Sequence, residues 1–301
     1  MTTAPSTPPS GSEWRAVLVA AIGSSLVGTV PMLAVGLYAQ GMEVVSMLFW
    51  RYWIALALLW PLAWMTSPDL GQDWRRAGRG LFLNGITLGV LQTFTYFRAV
   101  QSLPSSIVVT LFFAYPMMTL AIDRIVFKKH ITFGSVVAVG LIFLGALLVG
   151  WPSLRFDGGD PIGLACALAT PVVFAVYIAI AYRYTLQASP FAGAAAIYSG
   201  LGCGYALIAF VLGLTLPIGA MGWFSVLCIG IVGGVIQISS FAYALPRLSS
   251  SGYSIIVSME LVTVVLLGVT VLGETLSVPQ ALGVALVAVG IVTDRLARSR
   301  T

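Results

Sequence analysis

Two glutamines stand out because each lies inside a long apolar stretch, at helical spacing from an aromatic residue. Gln92 precedes Tyr96 by four residues, and Gln237 precedes Phe241 by the same interval, so each pair lies on one face of a helix. A primary amide in apolar surroundings is costly unless its donors and acceptor find partners. We therefore expect both glutamines to face the protein interior or water. They either line opposite walls of a cavity or join neighbouring helices by hydrogen bonds.

Two charged residues lie well inside apolar stretches, away from the ends. Glu260 is the only acid deep inside one of them. If these stretches cross a bilayer, an ionisable group at that depth usually marks a pathway or a proton relay. Glu260 could therefore hold a substrate ammonium, exchange a proton, or fix a helix corner as a structural group. Arg51 lies about two turns from the end of its stretch, and its side chain extends to the headgroups, pairs structurally or has a functional role.

Three prolines and two tyrosines complete the set of candidate functional residues. Pro31, Pro116 and Pro171 each remove a backbone donor inside an apolar stretch, which predicts a kink and a carbonyl group without its helical partner. Such kinks either contribute to a transport site or belong to ordinary packed helices. Tyr115 directly precedes Pro116, and Tyr177 follows Pro171. Their rings either wall a pocket for an apolar or aromatic group or belong to the core.

Residues for enzymatic or metal chemistry are missing from this pattern. The single histidine, His130, lies beside two lysines at the end of a stretch, and Cys166, Cys203 and Cys228 show no paired spacing. An intramembrane enzyme would need a nucleophile with a base, two deep acids or a metal cluster. No glycine-rich phosphate-binding motif with a lysine occurs either. The sequence therefore predicts no catalytic site, no metal and no cofactor.

The apolar stretches themselves are membrane spans. Of 301 residues, 59% are hydrophobic and 8% are charged, and the mean hydropathy is +0.99. A soluble domain carries about a quarter charged residues, so this chain cannot cover a water-facing surface. Since a span needs about 20 apolar residues, we predict ten spans, near 16–38, 44–66, 79–100, 104–127, 131–150, 160–182, 190–213, 219–243, 250–272 and 277–296. Close packing between them is predicted by small-residue pairs with four-residue spacing, namely Gly85/Gly89, Gly200/Gly204 and Gly230/Gly234.

The basic residues give these spans an orientation. With a cytoplasmic N-terminus, only Arg98 and Arg155 face outward, and both termini are inside. The cytoplasmic side then holds Arg15, Arg75, Arg76, Arg79, Arg124, Lys128, Lys129, Arg183, Arg247, Arg295, Arg298 and Arg300. The pI near 9.3 therefore reflects cytoplasmic loops and predicts no nucleic-acid partner. Residues 1–15 are predicted to be a disordered cytoplasmic tail without signal-peptide features, and residues 297–301 a second tail.

A shift of 145 residues superposes the third to fifth predicted spans on the eighth to tenth without a gap. Matched positions include Gln92 with Gln237, Tyr115 with Glu260, Ser105-Ser106 with Ser250-Ser251, and Gly145 with Gly290. Since each half has five spans, matched segments cross the membrane in opposite directions, which is typical of secondary transporters. The predicted fold is thus an all-α polytopic membrane protein of ten helices. Two inverted five-helix repeats, residues 16–150 and 151–296, surround a central cavity.

Several segments resemble the EamA pattern of the drug/metabolite transporter superfamily, most closely in the YddG-type bacterial amino-acid exporters. They are Arg51 in the second span, Thr95–Ala99, Leu103–Ser106, Ala114–Pro116, Ala244–Ser251, Met259-Glu260 and Leu272–Leu276. The resemblance implies a multi-pass protein of a bacterial inner membrane. Leu261 stands where the family usually has a proline, which argues against a kink there.

The predicted function is export of small zwitterionic or neutral metabolites, most closely aromatic and other neutral amino acids, by alternating access. The predicted partners are this small-molecule substrate and the lipid bilayer, and a monomer suffices. Arg51 is the one deep cation, which argues against phosphate-bearing cargo. The alternatives are an exchanger of another metabolite or a drug-like cation in the same superfamily and, from other classes, a channel or an intramembrane enzyme.

Overall fold

The computed structural model describes residues 10–151, 160–271 and 276–298, and within these ranges the chain is helical with no strand. The helices are α1 (Ser10–Val27), α2 (Val30–Ala39), α3 (Val44–Thr66), α4 (Leu70–Asp73), α5 (Arg79–Asn84), α6 (Val90–Ser102), α7 (Ser105–Phe112), α8 (Tyr115–Ile125), α9 (Phe133–Gly150), α10 (Pro161–Thr185), α11 (Pro190–Leu212), α12 (Gly219–Gly230), α13 (Gln237–Leu248), α14 (Ser250–Val257), α15 (Met259–Val271) and α16 (Val278–Arg298). Three π-helical turns, Trp74–Gly78, Gly85–Gly89 and Ile231–Ile236, join α4 to α5, α5 to α6 and α12 to α13. Residues 1–9, the loop with Arg155 and the segment Gly273-Glu274 lie outside the described residues.

Nine helices in the described part of the chain are long and apolar enough to cross a membrane, which confirms the all-α polytopic prediction. The remaining predicted span, 79–100, is also helical, from Arg79 to Ser102, but it is less apolar. Its polar groups face other helices: the Asn84 side chain donates to the carbonyl oxygen of Tyr177 at 3.2 Å, and Thr95 accepts from Thr170 at 3.0 Å. Its lower hydropathy therefore reflects interior contacts between helices.

Local sequence signals set the helix ends. The Asp160 side chain accepts from the backbone N–H of Ile162 at the start of α10, and the Thr132 side chain accepts from Ser135 at the start of α9. Both contacts satisfy N–H groups that the first turn leaves without helical partners. At the other end of α11, Gly213 adopts a φ of 91°, a conformation that a side chain would strain.

Glycines let the helices approach at backbone distance. A methyl group at Gly85 would overlap the carbonyl oxygen of Ile197, and one at Gly200 would overlap the carbonyl oxygen of Phe82. These reciprocal contacts press α11 against α5 and the following π-helical turn. Small residues permit such close packing in membranes, where apolar lipid offers no hydrophobic drive for helix association. The predicted glycine pairs at Gly85 and Gly200 thus lie in a helix–helix contact.

In the described ranges, short turns interrupt three of the membrane-crossing helical segments. The break at Gly28–Thr29 precedes Pro31, and the break between α7 and α8 precedes Pro116, as expected when proline removes a backbone donor. By contrast, α10 runs unbroken through Pro171. The third break, at Ser258, corrects the expectation drawn from Leu261, because it forms without a proline.

Side-chain hydroxyls take over the bonding at this third break. The Ser258 hydroxyl donates to the carbonyl oxygen of Ser254 at 3.2 Å, which is the acceptor that a continuous helix would reserve for a backbone N–H. Serine back-bonding of this kind bends helices. A second donor to the same oxygen is the Tyr115 hydroxyl, at 3.1 Å.

Candidate functional site

A cavity lies in the protein interior between the helices of both halves of the chain. The empty space between its walls is about 860 Å³, which includes open solvent at its mouth. Six of the seven predicted cavity residues line it, namely Gln92, Tyr96, Tyr177, Gln237, Phe241 and Glu260. Pro31 lines it too. Residues far apart in sequence thus meet around one space.

Tyr115 does not line the cavity. Its side chain is fully buried, and its hydroxyl donates to Ser254 at the break between α14 and α15. The ring packs against Phe112 and Phe174, with centroid distances of 4.8 and 4.9 Å, and these two rings line the cavity in its place. The structure thus places Tyr115 behind the rings of the wall, where its hydroxyl satisfies a carbonyl group that the neighbouring break exposes.

The two predicted glutamines follow π-helical turns. Gln92 lies in the first turn of α6, after Gly85–Gly89, and Gln237 opens α13, after Ile231–Ile236. A π-helical turn interrupts the regular α-helical bonding and often marks a functional site. In the second turn, the carbonyl oxygen of Gly233 accepts from the Tyr198 hydroxyl at 3.0 Å and also from Arg51 Nη2.

Arg51 lies inside the protein and lines the cavity. Its exposure is 5%, and Nη2 also donates to Gln237 Oε1 at 2.6 Å. The guanidinium lies 5.4 Å from the ring centroid of Tyr52 and 5.7 Å from that of Phe97, within the range of a cation–π contact. The Arg51 side chain therefore does not extend to the headgroups but pairs with groups inside the protein. Nothing near Arg51 in the sequence identifies these partners.

Glu260 lies in the first turn of α15 and lines the same cavity. Among the described residues, no hydrogen bond or ion pair engages its carboxyl group, and none joins it to Arg51. Tyr96 and Tyr253 also line the cavity, close enough to the carboxyl group to interact with it electrostatically. The cavity therefore holds one cationic and one acidic side chain that do not neutralise each other by direct contact.

Aromatic rings form a continuous wall of the cavity. Phe174 stacks on Tyr177 at 6.0 Å, Tyr177 stacks on Phe241 at 5.8 Å, and Tyr253 meets Phe241 edge-on at 5.2 Å. Tyr96 contacts Phe112 edge-on at 5.3 Å. Rings in these arrangements suit a flat or apolar ligand group, since offset and edge contacts with a further ring stabilise it beyond its buried area.

Charged contacts lie at both ends of the helical bundle. At one end, the nearly fully buried Asp123 accepts from the backbone N–H of Ser251 at 3.0 Å and pairs with Lys129 at 3.2 Å, which ties α8 to the start of α14. At the other end, Arg98 pairs with Asp160 at 2.7 Å, and both side chains are partly exposed. The hydrogen bond from the backbone N–H of Ile162, followed by those from neighbouring side chains, lowers the pKa of Asp160.

Within the described ranges, no group of three or more His, Cys, Asp or Glu side chains is arranged to hold a metal ion. The three cysteines are free thiols. The side chains that line the cavity offer recognition by charge, by amide groups and by aromatic rings.

Comparisons with known proteins agree with a transport fold. The model of the EamA-like transporter family matches residues 14–151 and 161–293. A solved crystal structure matches with a TM-score of 0.77 and 19% sequence identity, covering 95% of this chain and 99% of the other, which shows a shared fold. No curated protein matches the chain. Because the family match covers most of a chain built from membrane-spanning helices around a polar cavity, the protein belongs to the EamA-like transporter family, whose members are multi-pass membrane transporters.

Proposed function

We propose that this protein is a secondary transporter that exports small zwitterionic or neutral metabolites, most closely aromatic and other neutral amino acids, by alternating access. The observation that carries the proposal is the buried cavity, which combines two amides, one guanidinium and one carboxyl group with an aromatic wall. Amides and opposite charges suit the polar end of an amino acid, and the rings suit its side chain.

The proposed architecture is ten spans in two inverted repeats, residues 16–150 and 151–296. Irregularities in the helices support it, because they recur after a shift of about 145 residues. The π-helical turn Gly85–Gly89 corresponds to Ile231–Ile236, and the break before Tyr115 corresponds to the break before Met259, each to within one or two residues. Matched irregularities on either side of a midplane cavity are typical of transporters with inverted repeats.

The crossing of α9 and α16 gives independent support. A methyl group at Gly145 would lie 2.6 Å from the carbonyl oxygen of Gly283, and one at Gly290 would lie 2.8 Å from that of Ala138. The same shift converts the first contact into the second, since it takes Gly145 to Gly290 and Ala138 to Gly283. A two-fold axis between the helices would produce this pair of contacts.

We further propose that both termini are cytoplasmic, in a bacterial-type inner membrane. Contacts between helix ends agree with that orientation. Arg295 pairs with Glu13 at 2.9 Å, and Ser189 donates to Asp73 at 2.7 Å, both between ends assigned to the inside. Trp50 donates to the carbonyl oxygen of Thr215, and Arg98 pairs with Asp160, both between ends assigned to the outside.

Glu260 is the proposed site of proton coupling, if transport is coupled to protons. Its carboxyl group faces the cavity, and the charged or titratable groups around it are Arg51, Tyr96, Tyr115 and Tyr253. A drug-like cation is the second candidate cargo, because an acid beside aromatic rings also suits an organic cation. Arg51 in the same cavity opposes a cargo with a positive charge alone.

The test is counterflow in proteoliposomes with a panel of radiolabelled neutral and aromatic amino acids. We expect saturable exchange of at least one of them, blocked by an excess of the unlabelled compound. Flux that rises linearly with concentration would indicate a channel. Counterflow of a tetraalkylammonium or other organic cation, with none of any amino acid, would replace the proposed cargo with the second candidate.

A further inference from the structure

We propose that Arg51 and Glu260 recognise the two charges of one zwitterionic cargo molecule, with the guanidinium binding its carboxylate and the Glu260 carboxylate binding its ammonium. This inference rests on the proposed amino-acid transport and assigns the two residues that distinguish a zwitterion from a simple cation or anion. Both residues line the same cavity, and no direct ion pair joins them within the described part of the chain.

The guanidinium of Arg51 is held in position but not saturated. Nη2 donates to Gly233 and Gln237, which fixes the group between α3 and α13. Nε is buried and has no partner among the described residues. An arginine has five N–H donors in a planar fork, and a carboxylate can accept from two of them at once.

Gln237 extends this binding surface. Since its Oε1 accepts from Arg51, its amide nitrogen points its two donors elsewhere, and Gln237 lines the cavity. A carboxylate beside Arg51 could thus also accept from a neutral amide. The contact further ties the orientation of Gln237 to the position of the guanidinium, so that the two residues form one anion-binding unit.

The Glu260 carboxyl group supplies the complementary end. It lies at the start of α15, it faces the cavity, and it has no hydrogen-bonding partner in the part of the chain that the structure describes. Removing a charge from water is costly unless a partner replaces the lost solvation. A zwitterion bound between the two residues satisfies both charges at once and leaves the occupied site with no net charge.

The orientation of the cargo follows from the walls. With its charged groups between Arg51 and Glu260, the side chain of an amino acid would extend along the rings of Phe174, Tyr177 and Phe241. The aromatic wall then selects among amino acids by their side chains, whereas Arg51 and Glu260 recognise the ammonium and carboxylate that all of them share.

The test compares three ligands with the same phenyl side chain and different charged groups: L-phenylalanine, its methyl ester, which lacks the carboxylate, and 3-phenylpropionate, which lacks the ammonium. Affinities are measured for purified protein in nanodiscs by ligand-induced thermal stabilisation. We expect wild-type protein to prefer phenylalanine to either analogue by at least about tenfold. Arg51→Gln should lower the affinity for phenylalanine by about 10- to 100-fold and leave that for the ester unchanged. Glu260→Gln should lower the affinity for phenylalanine by a similar factor and leave the affinity for 3-phenylpropionate unchanged.

Arg98→Gln is a matched control. Arg98 pairs with Asp160 and does not line the cavity, so this variant should leave the affinities for all three ligands unchanged. If Arg51→Gln lowers the affinities for phenylalanine and the ester equally, Arg51 only supports packing and the inference is refuted. Should Arg51→Gln fail to fold, Arg51→Lys decides, because a retained charge should preserve part of the preference for phenylalanine over the ester. Equal binding of all three ligands by wild-type protein would refute the inference but not amino-acid transport. Binding of no amino acid would refute both.

Discussion

Replacement of Gly145 by alanine tests the helix crossing most directly. The new methyl group would lie 2.6 Å from the carbonyl oxygen of Gly283 and 3.1 Å from the backbone nitrogen of Val287, whereas an ordinary contact is at least 3.4 Å. The Val287 Cγ2 atom, at 2.7 Å, can move with its side chain, but no rotamer change relieves the overlap with these two backbone atoms. The helices α9 and α16 would have to separate by about 0.8 Å at this point, and forced overpacking typically costs about 1–3 kcal/mol.

The same helix supplies the control. A methyl group at Gly140 would meet no atom within 4 Å. Since alanine is the better helix former, we expect Gly140→Ala to leave the stability unchanged or to raise it. Gly290→Ala, at the position related to Gly145 by the proposed repeat, should lower the stability about as much as Gly145→Ala does. Reversible unfolding in mixed micelles measures all three variants. A Gly145→Ala protein as stable as Gly140→Ala would refute the close crossing.

Three further predictions concern the site and the topology. Tyr115→Phe should lower the free energy of unfolding by about 0.5–1.5 kcal/mol, because it removes one donor to the Ser254 carbonyl, and should leave cargo affinity unchanged; unfolding and binding assays on the same preparation check this. Glu260→Gln should flatten the pH dependence of transport in proteoliposomes if Glu260 carries the coupling proton, since glutamine does not titrate. Cysteines introduced at residues 67–78 should react with membrane-impermeant reagents only from the cytoplasmic side, and those at 152–159 only from outside.

Each of these has a contradicting result. If Tyr115→Phe lowered the cargo affinity and left the stability unchanged, Tyr115 would belong to the cavity wall. A Glu260→Gln variant with the pH profile of wild-type protein would assign any coupling to another group. Labelling of residues 67–78 from outside would overturn the proposed orientation of the halves.

The sequence alone predicts where the helices lie and which of their faces are polar. Gln92 and Gln237 could be assigned to interior faces because a buried amide needs partners, and that requirement does not depend on which helix lies opposite. Apolar length likewise located the segments that cross the membrane. The segment from Arg79 to Ser102 was predicted as a span although it is less apolar, and its polar groups do contact other helices.

Features that depend on contacts between distant segments could not be predicted. Gln237, which accepts a hydrogen bond from Arg51, lies 186 residues away in the sequence. The position of Gln237 depends on the preceding π-helical turn, which no residue pattern predicts. Tyr115 was assigned to the cavity because it lies beside Pro116 and is related to Glu260 by the shift of 145 residues. Its hydroxyl instead donates to a carbonyl group exposed by the break between α14 and α15. That break has no proline and forms where Ser258 bonds back to Ser254. These hydrogen bonds depend on tertiary structure, because the acceptors of Arg51 and Tyr115 belong to other helices.

The buried contact of Asp123 has a thermodynamic consequence for a carrier with two access states. The proposed repeat relates Asp123 to Gly268, so this carboxylate has no counterpart at the equivalent position, and we expect the two access states of the proposed carrier to differ in free energy. The apparent affinity for a cargo falls with the fraction of the protein in the state that binds it. The half-saturating cargo concentrations should therefore differ between the two sides. Detailed balance nevertheless requires that this difference be offset by the maximal rates. The asymmetry can therefore set the concentration range in which the protein works from each side, whereas accumulation of cargo requires a second gradient.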